Sequence, residues 1–149
     1  QSTKYDKALY QEVVGQAELA VLDLANQLSP YNILHICGYA HHKNDLSFYK
    51  NYEAGAYNWA VHTEGISLQE GRKLYPGKCI LGGFDNNAKT VITEGNREEV
   101  EHFAGECIEE SGYQSFILGA DCSVPNEMND ERLRWITYYA QHKSRTEGV

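Results

Sequence analysis

The sequence predicts a parallel α/β protein, in which one long helix is followed by four strand-helix units. Three observations carry that reading. Short apolar runs alternate with stretches whose apolar residues recur at three- and four-residue spacing, as in right-handed βαβ units around a parallel sheet. Capping residues open several of the helices, and Gly or Pro closes them. The unusual polar side chains, His35, Cys37, His62, Asp85, Asp121 and Cys122, gather at the C-terminal ends of the apolar runs, which in a barrel is the active face. Four units make either an open doubly wound sheet or half of a (β/α)8 barrel. No glycine fingerprint of dinucleotide or P-loop type follows any strand, which removes the commonest reason for the open form.

In chain order, the apolar positions Leu9, Val13, Ala17, Ala20, Val21, Leu24 and Leu28 predict an amphipathic helix over Tyr5 to Leu28, stopped by Ser29-Pro30. Asn32 to Cys37 is the first strand. After a loop from Gly38 to Lys43, in which His41 and His42 face solvent, a helix capped by Asn44 places Leu46, Tyr49, Tyr52 and Ala56 on one side. Asn58 to His62 is the second strand. Ser67 and Glu70 form a capping box for a short helix that Pro76-Gly77 ends. The third strand is Cys79 to Gly83, and the long loop from Phe84 to Gly95 is expected at the surface, within reach of a ligand. Asn96 and Glu99 cap a helix with Val100, Phe103, Ala104, Cys107 and Ile108 inward and Gly112 as its stop. Ser115 to Gly119 is the fourth strand. A turn leads to a last helix with Leu133, Ile136, Thr137 and Ala140 inward.

With 149 residues, 42% of them hydrophobic, the chain is long enough for one domain with its own core. A net charge of −8 without any Lys/Arg cluster argues against a nucleic-acid surface. No apolar run approaches the roughly 20 residues of a membrane span, and the N-terminus lacks the segments of a signal peptide, so a cytoplasmic protein is expected. Four widely spread cysteines do not make a disulfide scaffold and are expected to be reduced. The start at Gln1 rather than Met points to a piece of something longer.

The chemistry concentrates in Asn32-Ile-Leu-His-Ile-Cys-Gly38. Side chains alternate along a strand, so His35 and Cys37 share one face at its C-terminal end, as two ligands of a zinc site would. The alternative is a core His beside a small apolar Cys. Cys122 lies just past the fourth strand on the same face. In a flat sheet the first and fourth strands stand roughly 14 Å apart, too far for one ion, so a shared metal demands barrel curvature. Asp85, His62 and Asp121 are weaker candidates for contact with substrate or ligands; the plain readings are a turn Asp and a strand-end His bonded to a loop.

His35-Ile-Cys37-Gly38, with Gly119-Ala-Asp-Cys122-Ser-Val-Pro125, resembles the uroporphyrinogen decarboxylase superfamily, and within it the corrinoid-dependent methyltransferase branch of the methylcobamide:coenzyme M type. The resemblance covers nearly the whole chain, residues 1–149, including Gly82-Gly-Phe-Asp85. It implies the C-terminal half of a (β/α)8 barrel, zinc held by His35, Cys37 and Cys122, a small thiol as methyl acceptor, and a methylated corrinoid or corrinoid protein as donor. The isolated half is then expected to be inactive, and to associate with itself or with the missing N-terminal half. The chain departs from the branch at Tyr39, where Asn is usual, and at Asp121 and Ser123, where glycines flank the distal Cys. True decarboxylases carry a Leu-Gly-His-Gly type sequence after the last strand and lack the His-x-Cys pair. A metal-independent decarboxylase relative and a non-catalytic half-barrel interaction module are the alternatives.

Overall fold

The opening helix begins where its residues allow it: Asp6 caps it by accepting a hydrogen bond from the Leu9 amide at 2.9 Å. The computed structural model describes residues 2–38 and 42–142. In it α1 (Lys7–Tyr10) passes through a π-helical turn at Gln11–Gly15 into α2 (Gln16–Leu28), so that the predicted long helix is present with one widened turn. The face it buries differs from the predicted stripe. Leu19 and Leu22 pack on the core, and Glu18 accepts hydrogen bonds from Tyr10 at 2.7 Å and Tyr52 at 2.8 Å, whereas Leu9, Val13, Val21, Leu24 and Leu28 are exposed. The helix is apolar on two sides, and the polar anchor at Glu18 decides which one turns inward.

Four strands follow: β1 (Ile33–Ile36), β2 (Ala56–Trp59), β3 (Cys79–Phe84) and β4 (Phe116–Ala120). They form one sheet in the order β1-β2-β3-β4, every pair parallel, with β1 and β4 as its edges. Between β1 and β2 the predicted helix is a 3-10 turn, Leu46–Asn51, capped by Asp45 rather than Asn44. Leu46, Tyr49 and Tyr52 are buried as expected, but Ala56 belongs to β2, because Gly55 and Ala56 both donate backbone hydrogen bonds to the Asn32 carbonyl and so start the strand there. Accordingly β2 ends at Trp59, and His62 sits in a short helix, α3 (Val61–Glu64), not at a strand end.

The capping boxes read from sequence are both formed. Ser67 with Glu70 opens α4 (Leu68–Leu74), and Asn96 with Glu99 opens α6 (Arg97–Ser111), on which Val100, Ala104, Cys107 and Ile108 are buried. The long loop holds a short helix, α5 (Val91–Glu94). The last helix, α7 (Glu131–His142), turns Trp135, Ile136 and Tyr139 inward; Leu133 and Thr137 are exposed, so its inner stripe is displaced from the predicted one. Phe84, Val100 and Ala104 supply the surface against which these side chains pack.

One sheet face is sealed by helices. Tyr57, Trp59 and Ile80 are fully buried there, and Gly71 of α4 lets the Trp59 ring approach so closely that a Cβ would stand 2.0 Å from it. The other face carries, in one registered row, His35, Asn58, Leu81 and Ile117. It is the face that positions the site. Among the described residues no helix is long and apolar enough to cross a membrane.

Candidate metal centre

His35 and Cys37 project from the C-terminal end of β1, and Cys122 from the turn after β4. The structure brings them together. Cys122 Sγ lies 3.4 Å from His35 Nε2 and 4.0 Å from Cys37 Sγ, and the three ligand atoms all fall within 4.8 Å of one another. A tetrahedral zinc with Zn–N near 2.0 Å and Zn–S near 2.3 Å would separate its ligands by roughly 3.5 Å (N to S) and 3.8 Å (S to S); the His35–Cys122 and Cys37–Cys122 separations lie near these values, and one imidazole with two thiols is a donor set of the kind zinc takes. Among the described residues no fourth His, Cys, Asp or Glu joins the group. The curl of the sheet and the lean of the turn after β4 close the gap a flat sheet would leave.

Each of the three is braced by polar side chains that are buried or half-buried. Asn58, in register with His35, accepts a hydrogen bond from His35 Nδ1 through its Oδ1, while its Nδ2 donates to the carbonyls of Leu81 at 2.9 Å and Ala120 at 3.4 Å. Asn44 Nδ2 donates to the Cys37 carbonyl at 2.9 Å and to buried Glu64 at 2.8 Å, and the Asn44 amide donates to the same carboxylate. Asp121, beside Cys122, accepts from the His62 amide at 3.0 Å and the Gly83 amide at 3.4 Å. Asn58, Glu64 and Asp121 are three of the four buried polar or charged residues among those described, the fourth being Ser111. Buried polar groups are costly unless they are satisfied, and these three are satisfied by the hydrogen bonds that hold this end of the sheet together.

Electrostatics follow the packing. Burial pushes the Asp121 carboxyl up to about 6, with the Asp85 charge adding to it against the pull of its amide donors. Burial and the neighbouring Cys122 also raise the Cys37 thiol. Cys107 lies under the sheet, where burial pushes its thiol up to about 12; it belongs to the core, as its helical position predicts.

Of the weaker sequence candidates, Asp121 is fully buried at the site, and His62 donates its backbone amide to Asp121 while its Nε2 bonds the Gly83 carbonyl at 3.0 Å. Asp85 accepts from the Asn87 amide at 3.0 Å, which is turn geometry. His42 is partly buried in its loop, not fully turned to solvent. The expectations for His41 and Tyr39 lie outside the described residues. Gly38, the last motif residue, passes Ala60 so closely that a Cβ there would come within 2.4 Å of the Ala60 Cβ. From sequence Asn44 is read only as a helix cap and Asn58 only as a strand start, and Glu64 is not singled out. An Asn inside an apolar strand was the available signal, hidden by placing the strand start at Asn58 instead of Ala56.

Fold and site together define a class: a parallel α/β protein with a candidate His/Cys/Cys metal centre at the C-terminal ends of its edge strands. No protein-family model matches the sequence, and no curated protein matches it either.

Proposed function

We propose that this chain is half of a (β/α)8 barrel that holds zinc through His35, Cys37 and Cys122 and serves methyl transfer from a methylated corrinoid to a small thiol. The observation that carries the reading is the meeting of three ligand atoms contributed by the two opposite edges of the sheet. The resemblance of His35-Ile-Cys37-Gly38 and the Cys122 segment to corrinoid-dependent methyltransferases supplies the reaction class.

Barrel closure is supported by where apolar surface remains. Both edge strands carry a large exposed apolar side chain, Ile33 on β1 and Ile117 on β4, and Val21 of α2 lies exposed beside Ile33. The middle strands are covered. Two unpaired edges flanked by apolar surface are what further strands and helices of a closed barrel would cover.

A zinc ion held by one imidazole and two thiolates would lower the pKa of a thiol in its open position and so supply a thiolate at neutral pH. The chain's own part is to hold that donor set in place. Asn58 fixes the imidazole, Asn44 and Glu64 fix the backbone of Cys37, and Asp121 anchors the turn of Cys122 to the amides of His62 and Gly83. In the overall reaction an S–CH3 bond forms and the Co–CH3 bond breaks with its electron pair left on cobalt, while the thiol proton passes to solvent. A metal-independent decarboxylase relative would leave two thiols facing an imidazole without a task.

Cobalt(II) substitution tests this reading. Tetrahedral cobalt with sulfur-to-metal charge-transfer bands, altered by 2-mercaptoethanol but not by ethanol, is the expected result. Absence of tetrahedral bands, or a spectrum indifferent to the thiol, would overturn it.

A further inference from the structure

We infer that Asn58 is a positioning residue that fixes the tautomer of His35, placing the proton on Nδ1 and leaving the Nε2 lone pair on the side of the Cys122 sulfur. Its purpose rests on the metal reading above; its geometry does not.

The argument is one of donors and acceptors. An amide side chain has two donors on nitrogen and an acceptor oxygen. The Asn58 nitrogen faces the carbonyl oxygens of Leu81 and Ala120, which can only accept, so Nδ2 is held there and Oδ1 is the atom turned to His35. Oδ1 can only accept. His35 Nδ1 must therefore carry its proton, and in the neutral ring Nε2 is then the lone-pair nitrogen. That nitrogen is the one 3.4 Å from Cys122 Sγ. Asn58 is itself buried, at 6% exposure, and in direct register with His35, so its amide is held in the orientation these bonds require.

The consequence is preorganisation. A free histidine in water favours the Nε2–H tautomer, which would present a proton to the ligand cluster. Holding the ring as Nδ1–H removes that competition, much as outer hydrogen bonds orient histidine ligands of metals generally. The second histidine in the region gives an internal contrast: Nε2 of His62 faces the Gly83 carbonyl, so this ring carries its proton on Nε2.

Long-range 15N–1H correlation spectra of the metal-free protein at pH 8 test the inference, with His35→Gln used to assign the signals of His35 and exposed His102 as a reference. Wild-type His35 is expected as Nδ1–H and His62 as Nε2–H. Asn58→Leu is expected to shift His35 toward Nε2–H and to weaken zinc binding, measured by chelator competition, by about 10–100-fold. A wild-type His35 protonated on Nε2 overturns the inference, a result that does not depend on the variant folding. A folded Asn58→Leu protein with the tautomer and zinc affinity both unchanged overturns it too. An Nδ1–H His35 that the variant flips, in a protein that binds no zinc, upholds the role of Asn58 and removes the metal reading instead.

Discussion

The sulfur of Cys37 lies 4.0 Å from that of Cys122, 85 residues further along the chain and at the opposite edge of the sheet. Strands three positions apart in a flat sheet stand roughly 14 Å from one another, so this contact reports both the curl of the sheet and the inward turn after β4. The site and the fold are thus one geometrical fact. Whatever flattens the sheet separates the ligands.

Thiol chemistry should sort the cysteines. Cys37 is exposed, Cys122 is partly buried, and Cys107 is sealed in the core with its thiol pushed up to about 12 by burial. A disulfide reagent at pH 8 is expected to modify Cys37 and Cys122 in the native protein and Cys107 only after unfolding, with zinc protecting the first two. Peptide mass spectrometry reads the sites. Labelling of Cys107 in the native state would contradict the packing described above.

The same burial gives an alkaline limb to stability. Cys107 keeps its proton in the fold up to about 12, while in the unfolded chain it titrates at its ordinary 9.0. Its contribution is therefore complete below pH 9 and is lost as pH rises from there toward 12. Urea midpoints at pH 8 and pH 10.5 are expected to fall further in wild type than in Cys107→Ala. Equal falls would show that this thiol is not the group titrating.

Gly38 is required by contact, not by backbone angle. Gly38→Ala would drive a Cβ to within 2.4 Å of the Ala60 Cβ, and overpacking of this kind costs about 1–3 kcal/mol. Ala60→Gly in the same chain should restore most of that loss. A double variant as unstable as Gly38→Ala alone would refute the steric account.

Asn44 links Glu64 to the Cys37 carbonyl. Asn44→Ala takes one donor from a buried carboxylate, which should cost about 1–3 kcal/mol in thermal or urea unfolding. Zinc affinity should fall with it, because the segment after β1 loses its brace. Unchanged stability would mean that water replaces the donor.

Much of this was legible in the sequence. The alternation of apolar runs and helices specified the parallel sheet, and Ser67-Glu70 and Asn96-Glu99 marked two helix starts to the residue. Strand alternation gives His35 and Cys37 a common face, while Cys122, in the turn past β4, enters through its place at the same end of the sheet and through the family resemblance. What escaped depended on neighbours distant in sequence. Which side of α2 turns inward is decided by Glu18 meeting Tyr52, 34 residues away, and the role of Asn58 by a register with β1 that no local pattern encodes. His62 was placed at a strand end because the two-residue offset of β2 moved the strand into α3.

The most direct measurement is zinc per chain by elemental mass spectrometry on wild type, Cys37→Ala and Cys122→Ala. The account predicts about one zinc in wild type and its loss in each variant, since two remaining donors bind too weakly to survive purification. A folded wild type that takes up no zinc, or variants that retain it, would contradict the claim that these three residues form the metal centre.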